Sequence, residues 1–166
     1  MHINMLRYKP MIYALQLALF LLVASTCFAA GVSATGPSPK DKCPVCGMFV
    51  AKYPDWTATI SFKDAGSSYF DGPKDLFTFY SNLKKYRPSG NAAAMTSITV
   101  KDYYTLKQID ARQAWYVIGG DVYGPMGKEL IPFAAASDAQ AFLKDHKGSR
   151  ILRFNDINQA VLKSLQ

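Results

Sequence analysis

Cys43-Pro44-Val45-Cys46-Gly47-Met48 is where this 166-residue chain concentrates its chemistry. Two cysteines three apart can place both sulfurs on one ion, and Met48 adds a thioether two residues later. Thiolate and thioether are soft, polarisable donors, a set that suits Cu(I) over harder ions. Structural zinc takes four nitrogen or sulfur ligands, and iron–sulfur clusters need more cysteines than this segment supplies. Cu(I) is content with two or three soft ligands. The pair is also open to two other readings. In an oxidising compartment it can form a short-loop disulfide, and Cys-Pro-x-Cys also serves thiol–disulfide exchange. A thioredoxin-like pair should follow a strand and open a helix, whereas this one follows a Pro-rich lead and precedes strands.

A second methionine lies in Tyr123-Gly124-Pro125-Met126-Gly127, a glycine-flanked loop rather than a core face. A methionine in such a loop is as often a gap-filler as a ligand, and Met95, in an Ala-rich stretch, is a weaker candidate. Enzyme signals are otherwise sparse. Glu129 is the only glutamate, and His146 is a favourable partner for a helix carboxyl end. The eleven aspartates are scattered over turns and caps, with Asp71 in Phe70-Asp71-Gly72-Pro73 reading as a helix-start residue. There is no G-x-S-x-G and no phosphate-cradling glycine loop. Hydrolase chemistry has no residues to stand on, and the chain is expected not to be an enzyme.

The positioning elements begin after residue 34. Arg7 and Lys9 precede the apolar run from Met11 to Ala24, followed by small residues, which is the layout of a secretory signal spanning 1–34. An uncleaved membrane tether and lipidation at Cys27 are the alternatives, though Ala24-Ser25-Thr26 fits a lipobox poorly. Removal of the leader takes two of the nineteen basic residues and none of the twelve acids, lowering the net charge from +7 to about +5. The positive charge is spread out and lacks interleaved aromatics, so it predicts a solvated surface and no nucleic-acid partner.

Residues 35–42 form a Pro-rich, flexible lead, and 43–166 form the domain. Period-two patterning predicts a strand over Trp56–Phe62 and a short return at Ser68–Phe70. Lys74–Lys85 has helical spacing. Ile98 and Val100 start another strand, while Tyr103–Gln113 is ambiguous. The order then repeats, with strands over Ala114–Ile118 and Glu129–Phe133 and a helix that Ser137 can cap. A strand follows over Arg150–Phe154, and then a helix to Leu165 that Asp156 can cap. This predicts an α+β fold of two related strand-strand-helix lobes, about 43–95 and 96–166, each a small antiparallel sheet covered by helix.

Taken together, these segments resemble the NosL family, copper-binding accessory proteins of nitrous-oxide reductase assembly. The resemblance is carried by Cys43-Pro44-Val45-Cys46-Gly47-Met48, by Phe70-Asp71-Gly72-Pro73-Lys74-Asp75-Leu76-Phe77 and by Ala114-Trp115-Tyr116-Val117. It continues through Gly124-Pro125-Met126-Gly127-x-Glu129-Leu130-Ile131-Pro132-Phe133. It implies an exported, periplasmic Cu(I) carrier with Cys43, Cys46, Met48 and Met126 as metal ligands. It further implies a copper-accepting partner protein or membrane transporter complex. The alternative function is a periplasmic thiol–disulfide oxidoreductase that uses Cys43 and Cys46.

Overall fold

A computed structural model describes residues 36–63 and 66–166. The leader and Cys27 lie outside the described residues. Residues 36–166 form one compact unit. Strand β1 (Ala58–Phe62) pairs antiparallel with β2 (Gly66–Phe70), setting Ala58 opposite Phe70. Its other edge takes β3 (Met95–Lys101), and β3 takes β4 (Gln108–Asp110), so the order is β2-β1-β3-β4. The first strand starts two residues later than the patterning predicts, because Pro54–Trp56 forms a 3-10 turn. Strand β4 falls in the ambiguous stretch, where three residues with one apolar member are too short to show a period. The first sheet thus takes in residues beyond 95, which the sequence reading assigned to the second lobe.

Helix α1 (Pro73–Ser81) starts at Pro73, where a missing N–H costs nothing. It buries Leu76, Phe77 and Phe79. The expected continuation to Lys85 breaks at Asn82, whose side chain donates to the Thr78 carbonyl at 2.9 Å and competes with the helix for it. A single turn, α2 (Leu83–Tyr86), follows.

The second sheet has the order β8-β5-β9, from β5 (Trp115–Ile118), β8 (Ile131–Phe133) and β9 (Arg150–Arg153). Its strands alternate as period two demands. Tyr116 and Ile118 enter the main core, while Val117 packs with Phe133 and Phe142 under helix α3 (Ala136–Asp145). The main core is shared by both sheets. Phe77 of α1 meets Tyr116 edge-on with ring centroids 5.2 Å apart and Phe154 at 5.0 Å. Both expected strand-strand-helix units are therefore present, in the α+β class, around one common core. The first unit carries the extra strands β3 and β4.

Two expected caps are not used. Helix α3 opens after Ala135 with no side-chain cap, which leaves Ser137 inside the first turn. The last helix, α4 (Gln159–Ser164), is capped by Asn158, whose side chain accepts from the N–H groups of Ala160 and Val161. Asp156 instead accepts from the Arg153 N–H at 2.8 Å. Two-residue strands β6 (Tyr123–Gly124) and β7 (Gly127–Lys128) make a small hairpin with Pro125 and Met126 at its tip. Among the described residues no helix is long and apolar enough to cross a membrane.

Candidate metal centre

The two cysteines lie on a loop closed by its own backbone. The Cys43 N–H donates to the Met48 carbonyl at 2.8 Å, and the Gly47 N–H donates to the Cys43 carbonyl at 2.8 Å. Gly47 has φ +80°, a left-handed conformation that glycine adopts with the least strain. A bridge between Lys42 and Phe49 seals the base. The N–H groups of Cys46 and Val45 act on the Cys43 sulfur, and that of Met48 on the Cys46 sulfur, each favouring thiolate. Donors of this kind orient a ligating side chain and set its basicity. Both cysteines are free.

Across from this loop, the junction of β2 and α1 supplies two carboxylates. Asp71 lies just past the end of β2, before the extended Gly72, and Asp75 lies in the first turn of α1. The Cys43 thiol donates to Asp75 Oδ2 at 3.2 Å, and the Cys46 thiol donates to Asp71 Oδ1 at 3.2 Å. One ligand atom from each of the four residues lies within 4.8 Å of all the others. Cys43 is 2% exposed, Asp71 1% and Asp75 7%. Burial pushes the Cys43 thiol far up and the Cys46 thiol up to about 12, with the aspartates adding to both. Burial also raises the Asp75 carboxyl. The metal-free centre therefore holds its thiols protonated at neutral pH.

Asp71 Oδ2 is buried with no hydrogen-bond partner. An orphaned acceptor costs about 1–3 kcal/mol, and a cation among the four ligand atoms would satisfy it. Two sulfurs already supported by backbone N–H groups, beside a carboxylate oxygen in want of a positive partner, fit a metal ion.

The wall behind the carboxylates is built on Lys74 and Glu129. Lys74 is buried, and its ammonium donates to the Met126 carbonyl at 2.8 Å and the Leu165 carbonyl at 3.4 Å. Its N–H donates to Glu129 Oε1 at 2.6 Å, and that oxygen also accepts from the Leu130 N–H at 2.8 Å. A Cβ on Gly72 would run into the Glu129 carboxyl group, which those two N–H groups hold in place. Burial pushes the Glu129 carboxyl up to about 8, although both N–H groups pull it down.

Of the sequence-derived candidates, the structure brings Cys43 and Cys46 together. Met48 is half-buried and closes the loop through its carbonyl. Met126 stands 46% exposed at the hairpin tip, tied by its backbone to Lys74, the residue before Asp75. Met95 packs against the main core. His146 is the C-terminal cap of α3, with its ring stacked on Phe142 at 4.2 Å and Nδ1 at 2.9 Å from Asp121. Asp71 is more than a helix-start residue, and Asp75 had no expected role. The available signal was the pair of acids bracketing Gly72-Pro73 at a four-residue spacing.

Comparison with known proteins extends this geometry. The NosL family model matches residues 35–162. The chain belongs to the NosL family. A curated relative, the copper-binding lipoprotein NosL of Stutzerimonas stutzeri, is 47% identical over 55 residues. That match covers 33% of this chain and 28% of the relative's own length. The crystal structure of the copper chaperone NosL from Shewanella denitrificans superposes with a TM-score of 0.65 at 26% identity. It covers 76% of this chain and 96% of that one. The solution structure of apo-NosL from Achromobacter cycloclastes has a TM-score of 0.45 at 25% identity, covering 63% and 87%.

Proposed function

We propose that this chain carries Cu(I) at the Cys43–Cys46 loop and delivers it to a partner outside the cytoplasm. The observation that supports this most is the cluster of two thiols and two carboxylates within 4.8 Å, one carboxylate oxygen being buried and unpartnered. The names of the relatives, a copper-binding lipoprotein and a copper chaperone, agree with it. Cys43 and Cys46 supply thiolate, the softest donors present, and Met48 and Met126 supply thioether, which suits the monovalent ion. Each thiol that becomes a ligand releases its proton, and Asp71 and Asp75 already accept hydrogen bonds from those thiols. The role is delivery rather than catalysis.

The receiving partner is a copper-accepting protein or transporter complex serving nitrous-oxide reductase copper-centre assembly. Residues 1–34 direct export to the periplasm, with membrane anchoring through the N-terminus as the lesser alternative. Thiol–disulfide exchange is disfavoured by the site itself. Its nucleophile is the thiolate, and a thiol pushed up to about 12 supplies little of it at neutral pH.

The test is anaerobic titration of the reduced protein with Cu(I) against a competing chelator, beside a Cys43→Ser/Cys46→Ser double variant. One ion bound per chain, lost in the variant, is the expected result. A reduced wild type that loses to the chelator at every ratio refutes the reading.

A further inference from the structure

We infer that the face around the cysteine loop is a docking surface for an acidic protein, with lysines ringing an exposed aromatic at the metal's exit. The inference rests on the delivery reading. Phe49 is 39% exposed immediately beyond Met48. Two cations sit over its ring, the Lys42 ammonium at 4.9 Å and the Lys52 ammonium at 5.7 Å from the centroid. Both lysines are exposed. Neither meets a carboxylate, since the single side-chain ion pair among the described residues is His146–Asp121. Asp41, beside them in sequence, turns its carboxylate onto the Ser38 N–H at 2.7 Å.

The second piece of this face is the β6–β7 hairpin. Tyr123 is 62% exposed and Met126 46%, and Lys128 is exposed on the returning strand. The hairpin is held to the start of α1 by the Lys74–Met126 hydrogen bond, and the cysteine loop is held there by the Cys43–Asp75 hydrogen bond. Uncompensated cations and exposed aromatics thus flank the same helix end that supplies the candidate metal-binding carboxylates. An aromatic anchor amid charge of one sign is how protein interfaces combine affinity with orientation. The partner's complementary surface is acidic. A membrane bound at this face would cover the exit that delivery requires, which favours a protein.

The test uses the Cu(I)-loaded protein and two synthetic acceptor peptides. They share one Cys-x-x-Cys copper site, flanked by Asp and Glu in one peptide and by Lys in the other. Stopped-flow transfer at low salt should run about tenfold or more faster to the acidic acceptor, the lower range of electrostatic steering. The advantage should vanish near 0.5 M NaCl, where the screening length is only a few ångströms. Lys42→Glu/Lys52→Glu should reverse the preference while the circular dichroism spectrum stays unchanged, and because the two acceptors are compared within each protein, a change in Cu(I) affinity cancels from the ratio. Equal rates to both acceptors, or a preference that the double variant leaves intact, overturn the inference. Lysine-dependent sedimentation with phosphatidylglycerol vesicles alongside equal transfer rates also overturns it, assigning the face to a membrane. A wild type that takes up no Cu(I) fails before any acceptor is added, which identifies the delivery reading as the fault and removes this inference with it.

Discussion

Replacing Glu129 with Gln should abolish a fall in stability with rising pH that the wild type carries. An unperturbed glutamate titrates near 4.3, whereas burial pushes Glu129 up to about 8 in the folded chain. Between those values the folded state keeps a proton that the unfolded state has lost. Unfolding then releases a proton, and stability decreases by about 1.4 kcal/mol for each pH unit. Across the whole window the loss is bounded at about 5 kcal/mol, a large part of the roughly 5–15 kcal/mol that holds a domain together. The stabilising contribution is complete below about pH 4.3 and gone above about pH 8. Glutamine keeps a carbonyl oxygen for the Lys74 and Leu130 N–H groups and carries no charge. The assay is urea unfolding of the reduced, metal-free protein from about pH 5 to 9, followed by the fluorescence of Trp56 and Trp115. Near pH 5 the two proteins should match within about 1 kcal/mol, and by pH 8 the variant should be the more stable by several kcal/mol. Asp75, also raised by burial, titrates in both proteins and largely cancels in the difference. Parallel curves with a constant offset would refute the reasoning, because a carboxyl that stays protonated in the folded chain and ionises in the unfolded one cannot produce them.

The other expectations concern the metal. Asp71→Asn should lower Cu(I) affinity by about tenfold to a hundredfold, as loss of a supporting group near a metal does; competition with a chelator measures it, and unchanged affinity excludes Asp71. Met126→Leu should weaken Cu(I) binding and leave the unfolding midpoint in place, and an unaltered affinity would take Met126 out of the site. Apparent Cu(I) affinity should rise with pH between about 6 and 8, tenfold per pH unit for every thiol proton displaced. A flat profile would mean that the thiols are already ionised in the metal-free protein.

The cysteine half of the candidate centre was legible in sequence because its two sulfurs are close in the chain and of a rare type. The carboxylate half was not. An aspartate beside Gly72-Pro73 does the local work of starting a helix whether or not it also faces a thiol, so local pattern cannot separate the two roles. What separates them is the approach of the cysteine loop to the β2–α1 junction, contacts spanning 25 and 32 residues. The fold divides along the same line. Strands β1 and β5 and helices α1 and α3 were readable because each buries a face with a clear period. The β6–β7 hairpin escaped because two residues per strand, two of the four being glycine, carry no period at all. Its place is set by a buried lysine far away in the chain, Lys74, holding the Met126 carbonyl.

Under the delivery reading the site has to be stable both with and without its ion, and its electrostatics suit that requirement. If all four side chains were ionised, the negative charges would lie within 4.8 Å of one another. At an effective dielectric constant of about 20, each pair at that separation repels by about 3–4 kcal/mol. The empty centre avoids this by keeping its thiols protonated, and the two S–H groups donate to the two carboxylates at 3.2 Å. Protons thus occupy the positive role in the empty state, and under the delivery reading Cu(I) takes it over on loading. High thiol pKa values would cripple a redox catalyst, which needs thiolate at rest. For a carrier they supply an alternative occupant of the site: as the ion leaves, protons return to the sulfurs, and four negative charges never face one another bare.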